Sequence, residues 1–173
     1  MKKFIPLLLL VVLGLFSCNT STTNALYEDL MMPEAEGFFR GINFDMTKSE
    51  VKDIETARKT VSIFEDEAEN EFIITTDMGP ETLNFADITY NFDTEGLYAI
   101  SVESYAISLE AATEVFDMVV EDYTAKYGAP TIAEDGFTEF KGKENGKEFN
   151  IAIKNIDDLE DSFGMYLYFD IAE

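Results

Sequence analysis

The sequence predicts an α+β fold made of two helix-plus-antiparallel-strand units that share or pair a sheet, with the helices on one face. Three observations lead there. Two stretches repeat apolar residues at helical spacing behind a recognisable cap, and eight shorter runs have the composition and punctuation of strands. Their order along the chain is helix, strands, helix, strands, which divides the body into residues 38–107 and 108–173. No residue-level repeat links the two halves, so the predicted likeness is one of architecture.

The first helix opens at Thr47-Lys48-Ser49-Glu50, a capping box in which the Thr47 hydroxyl serves the Glu50 amide and the Glu50 carboxylate reaches back. Met46 and Val51 bracket the cap as an apolar staple, Ile54 continues the face, and the helix is short, ending near Ala57. Four strand-like runs follow, VSIFE, EFIITT, FADITYNF and LYAISVESY, separated by DEAEN, DMGPET and DTEG, and read as an antiparallel meander. Ser108 caps the second helix, along which Ala112, Val115, Phe116, Val119, Tyr123 and Tyr127 recur on one face until Gly128 and Pro130 stop it. The closing strands lie around TIAED, FTEFKGKE, EFNIAIKN and SFGMYLYFDIA, with Asn145-Gly146 as a type I′ hairpin turn between the middle pair.

Ahead of this body the chain carries an address. Met1, Lys2 and Lys3 form a positive n-region and Phe4 to Leu13 an apolar h-region, shorter than the roughly 20 residues of a membrane span. Leu15, Ser17 and Cys18 resemble the lipobox of bacterial lipoproteins. That resemblance implies removal of residues 1–17 as a signal peptide and a lipid thioether on Cys18, the one cysteine in the chain. Residues 18–37 then read as a lipidated tether, because NTSTTNA, residues 19–25, is small, polar and uncharged.

A second resemblance concerns the body. Gly41-Ile42-Asn43-Phe44-Asp45-Met46-Thr47 with Glu50-Val51, and Lys126-Tyr127-Gly128-Ala129-Pro130, are similar to motifs of the β-lactamase-inhibitor-protein-like and outer-membrane-assembly small-lipoprotein families. Asp45 stands where those motifs usually carry glycine. The resemblance implies helix-then-strand units that act by binding other proteins in the cell envelope.

Composition limits the chemistry. The 173 residues carry a net charge of −23 and no histidine. Such a field repels nucleic acid and anionic head groups, so membrane contact is expected through the Cys18 lipid only, and a protein partner is expected to be basic or apolar. Without histidine, and with the thiol lipidated, Ser-His-Asp and Cys-His catalysis and the usual zinc sites are excluded. Ser49-Glu50-Val51-Lys52 matches S-x-x-K, but it lies in a capped first turn, S-D-N is missing, and Lys59-Thr60 is followed by Val61 in place of glycine. Asn91-Phe92-Asp93-Thr94-Glu95-Gly96 begins like a calcium loop yet has Val102 at its twelfth position, so it reads as a hairpin turn. The acidic runs 65–71 and 157–161 read as solvated loops. No spacing singles out a carboxylate pair for glycoside hydrolysis. The expectation is a protein with no catalytic residues, metal or cofactor.

Alternation also places a binding face. Phe163, Met165, Leu167, Phe169 and Ile171 point to the core, as do Ala86, Ile88, Tyr90 and Phe92, which leaves Phe85, Tyr105, Tyr166 and Tyr168 on the other side of the sheet. Amphipathic rings on a polar face are over-represented where proteins meet. The sequence therefore predicts a lipid-anchored envelope module, periplasmic or surface-facing, that binds a protein as an assembly factor or inhibitor. The alternative is a small-molecule carrier or a carboxylate-based hydrolase.

Overall fold

The computed structural model describes residues 20–58, 62–66, 70–80, 83–159 and 162–172. The expected signal segment, residues 1–17, and Cys18 lie outside them. Within these residues the elements are α1 (Thr20–Met31), α2 (Lys48–Thr56), β1 (Ser62–Asp66), β2 (Glu71–Asp77), β3 (Phe85–Phe92), β4 (Leu97–Ala106), α3 (Leu109–Tyr127), β5 (Thr131–Ile132), β6 (Thr138–Glu144), β7 (Lys147–Leu159) and β8 (Ser162–Ile171). None of these helices is long and apolar enough to cross a membrane.

Local chemistry sets the expected boundaries. Thr47 and Glu50 form both halves of the capping box, and α2 ends at Ala57. Ser108 caps α3 by accepting from the Ala111 amide at 3.2 Å, and Gly128 closes it with a positive φ of 92°. Asn145 and Gly146 both have positive φ, 52° and 85°, as a type I′ turn requires, and Glu144 pairs with Lys147 across it. The run 157–161 is not simply a loop: β7 continues to Leu159, which pairs with Ser162.

Two expectations are corrected. The first is the pair of helix-plus-strand units. The strands form a single eight-stranded antiparallel sheet in the order β1-β2-β3-β4-β8-β7-β6-β5, and the fold is dominated by that sheet. Its centre is the β4–β8 ladder, from Ala99 opposite Asp170 to Ala106 opposite Phe163. Ile100 and Val102 on β4 and Met165, Leu167 and Phe169 on β8 are almost wholly buried in one continuous core, so no boundary falls at residue 107. The helices do not divide between halves either. α3 packs on β4 as well as on β6, β7 and β8.

The second correction is the tether over 18–37. From Thr20 the chain is helical, and Leu26 and Leu30, one turn apart, are buried together with Tyr27 and Met31. Helix α1 packs on α3, where the Thr23 hydroxyl donates to Glu114 Oε2 at 2.6 Å. Its last turn is held by Arg40, whose Nη1 donates to the carbonyls of Asp29 at 2.7 Å and Leu30 at 3.0 Å, groups a helix end otherwise leaves unmet. The polar run 20–25 is thus the start of a core helix, and its apolar face begins only after that run.

All three helices lie on the sheet face formed by Phe72, Ile74, Ala86, Ile88, Tyr90, Ile100, Val102, Ile151, Ile153, Leu167 and Phe169. Among the described residues the other face carries no helix.

Candidate protein-binding face of the sheet

Alternation puts Phe85, Asp87 and Thr89 of β3, Ser101, Glu103 and Tyr105 of β4, and Tyr166, Tyr168 and Asp170 of β8 on the uncovered face, each half-buried or exposed. Register then decides which of them meet. Phe85 lies opposite Tyr105, and their rings stack with centroids 4.8 Å apart and planes 27° from parallel. Tyr105 in turn lies opposite Gly164, so Tyr166, two residues further along β8, is its diagonal neighbour. Tyr168 continues the line opposite Ser101 and Ala152. The four aromatic residues singled out by sequence therefore form one oblique row across β3, β4 and β8.

Gly164 is what lets the row form. A Cβ at that position would lie 1.9 Å from the Ser104 carbonyl oxygen. Beside it the Ser104 hydroxyl donates to the Met165 carbonyl and accepts from its amide, both at 3.2 Å. Strands β4 and β8 are thus drawn together at this point.

Acid groups sit within the row. Asp87 and Glu103 face each other directly across β3 and β4, an arrangement that like charges disfavour. Each is tied locally: Asp87 Oδ1 accepts from the Thr75 hydroxyl at 2.7 Å, and Glu103 Oε2 accepts from the Tyr105 hydroxyl at 2.8 Å. Partial burial, then the Glu103 hydrogen bond, pushes the Tyr105 hydroxyl up to about 12. Burial and then the Glu103 charge raise Tyr166, and burial and then Asp170 raise Tyr168. These hydroxyls stay protonated at neutral pH and present donors beside carboxylates.

Two further aromatic residues extend the face and were not picked out from sequence. Phe137 meets Tyr166 edge to face with centroids 5.9 Å apart, and the Lys154 ammonium lies 5.5 Å over the Phe137 ring. Its signal was present, since Thr138 and Phe140 point inward and Phe137 shares the parity of outward Glu139. Tyr98, 41% exposed, had no such signal. Counting by twos from Ile100 turns it inward, but the ladder skips it, pairing Asn91 with Ala99 and Phe92 with Leu97.

The alternatives raised by motif fare differently. Lys52 of the S-x-x-K run is ion-paired with Glu65, and Ser49 stays in the exposed first turn of α2. In the Asn91–Gly96 run, Asp93 Oδ1 accepts from the amides of Glu95 at 2.7 Å and Gly96 at 3.1 Å, so this carboxylate serves the turn. Among the described residues no three His, Cys, Asp or Glu side chains are grouped to hold a metal ion. No family model matches the chain, and no curated protein or solved structure matches it either.

Proposed function

We propose that this protein is a lipid-anchored module of the bacterial cell envelope that binds another envelope protein, without catalysis of its own, through the uncovered sheet face at Phe85, Tyr105, Tyr166 and Tyr168. The observation that carries the reading is the stacked Phe85–Tyr105 pair and its continuation in Tyr166 and Tyr168, an aromatic row left open on a sheet whose opposite face is covered. The opposed carboxylates of Asp87 and Glu103 give the partner's chemistry: a basic side chain, arginine above all, would relieve their repulsion while stacking on a tyrosine ring. The lipobox-like Leu15-Phe16-Ser17-Cys18 supports the anchor and the envelope address.

The test is affinity capture from detergent-solubilised envelope with the anchored, tagged chain. A stoichiometric envelope protein is expected with the parent, with strong loss for Tyr166→Ala/Tyr168→Ala and for Glu103→Lys. Equal recovery with parent and variants, or no partner for the parent, rejects the assignment.

A further inference from the structure

Three of the seven large apolar side chains left exposed among the described residues gather at one end of the sheet: Leu83 at 69%, Ile107 at 51% and Leu109 at 46%. Register brings them there. Phe85 at the start of β3 lies opposite Tyr105 near the end of β4, and just beyond them the Ile107 amide donates to Asn84 Oδ1 at 2.9 Å. Leu83 and Ile107 therefore flank the same end of the β3–β4 ladder, and Leu109 opens α3 two residues on. Ile107 precedes the Ser108 cap, where an apolar residue commonly folds back on the first turn, yet it stays half out. Single exposed apolar residues are ordinary, whereas a group of them marks a surface with an occupant.

The anchor says which occupant. Helix α1 runs alongside α3 in the same direction, since the Thr23 hydroxyl meets Glu114 near the start of α3 and the Tyr27 hydroxyl meets Asp122 about two turns later. Thr20, where α1 starts, thus lies toward the end of α3 that carries Leu109. Cys18 comes two residues earlier, and two residues reach at most about 7 Å. An acyl chain on Cys18 therefore brings this end of the molecule to the bilayer, with Tyr98 at the far end of β4 turned away.

We infer that Leu83, Ile107 and Leu109 form a seat that enters the interfacial layer of the membrane, so that the bilayer is met by side chains as well as by lipid. The inference rests on the lipid-anchored part of the proposed function and is independent of the open face. The acyl chain sets the distance from the bilayer, and the three side chains set the tilt. Charge selects the kind of surface. No Lys or Arg occurs in residues 78–84 or 104–114, and Glu110 and Glu114 follow Leu109, so the seat fits zwitterionic rather than anionic head groups. A second copy, itself of charge −23, is the poorer occupant. Seated in this way the sheet stands on end, with Tyr166 and Tyr168 at its side.

The chain contains no tryptophan, so one introduced indole reports its own surroundings. Full-length, unlipidated Leu83→Trp, Ile107→Trp, Leu109→Trp and Tyr98→Trp, each coupled through Cys18 to a maleimide phospholipid, are mounted on phosphatidylcholine vesicles that contain brominated phosphatidylcholine. Blue-shifted and quenched emission is expected at positions 83, 107 and 109, with Tyr98→Trp unaffected. Leu83→Asp/Leu109→Asp in the Ile107→Trp chain should restore emission at an unchanged melting temperature, because both side chains are exposed, and this separates a seat from mere nearness to the anchor. Exchanging part of the phosphatidylcholine for phosphatidylglycerol should weaken the quenching. Tyr166→Ala/Tyr168→Ala should leave it unchanged, so failure of the open-face reading leaves this one standing. Supplying the anchor chemically keeps the outcome apart from lipidation in the cell, which labelling of Cys18→Ala decides. No quenching at 83, 107 and 109, equal quenching at 98, undiminished quenching in the aspartate variant, or stronger quenching with phosphatidylglycerol overturns the inference.

Discussion

The Tyr90 hydroxyl donates to Glu55 Oε1 over 2.6 Å, joining the middle of β3 to the last turn of α2 where neither side chain meets solvent. The same carboxylate receives Arg40 Nε at 3.2 Å and Nη2 at 3.3 Å, and Arg58 Nη1 at 2.5 Å. Arg58 also donates to the Arg40 carbonyl, so the group closes on itself. Glu55→Ala strands a buried guanidinium and is expected to cost about 3–5 kcal/mol. Tyr90→Phe removes one donor from a carboxylate that keeps the others, and should cost less, about 1.5–3 kcal/mol. Urea unfolding measures both, and an equal or reversed ranking would show that Arg40 is held by the α1 carbonyls rather than by Glu55.

Adjacent residues of β8 separate packing from surface. Leu167 is fully buried between Val102 and Ile153, and Leu167→Ala should lose about 2–5 kcal/mol. Tyr166 and Tyr168, half-exposed on the other side, should together lose clearly less when changed to alanine. Denaturant midpoints decide it: a double tyrosine variant as unstable as Leu167→Ala would make those rings structural and remove them from the proposed binding face.

Alkali should unfold the protein through its tyrosines. Burial, then Asp122, lifts the Tyr27 hydroxyl to about 12, burial and then Glu103 lift Tyr105 equally, and burial drives Tyr90 and Tyr123 well up. A folded-state value above the unfolded one of 10.0 means the unfolded chain loses its proton first. The contribution to stability is whole below pH 10.0 and is lost as pH rises towards about 12. Phenolate absorbance should therefore rise in step with loss of the folded signal. Full ionisation of all eight tyrosines at pH 10 with the fold intact would contradict this.

The anchor is tested apart from the fold. Cys18→Ala should abolish metabolic labelling by a fatty-acid analogue and release the protein from the membrane fraction. Persistent labelling of that variant would falsify the lipobox reading.

What could be read from sequence was whatever neighbours in the chain decide. Caps at Thr47 and Ser108, the Asn145-Gly146 turn and the two-residue alternation through FADITYNF are local, and each element they mark is present. Pairing is not local. Nothing in β4 or β8 alone says that they join, and a division into two units missed the ladder that makes the core continuous. Helix α1 was hidden because its first residues are polar and its apolar face starts at Leu26. The uncovered face of the sheet was legible wherever strict alternation holds, as at Phe85, Tyr105, Tyr166 and Tyr168, and was lost at Tyr98, where a bulge reverses the parity. The Arg40–Glu55–Tyr90 group brings together three separate segments, and Arg40, at φ 51°, looks in sequence like a surface charge beside Gly41.

The position of β8 has a consequence for how the chain reaches this state. It comes latest of the eight strands, yet it lies mid-sheet, between β4 and β7. Ser104 and Met165, which join across that seam, are 61 residues apart. Such distant partners make for slow assembly. β8 pairs with its chain neighbour β7 through local contacts, so the distant pairing is the one with β4, whose edge, bordered by Ile100 and Val102, keeps its main-chain donors and acceptors in line for as long as that pairing is unmade. Mutual repulsion among chains of charge −23 disfavours pairing of such an edge with another copy.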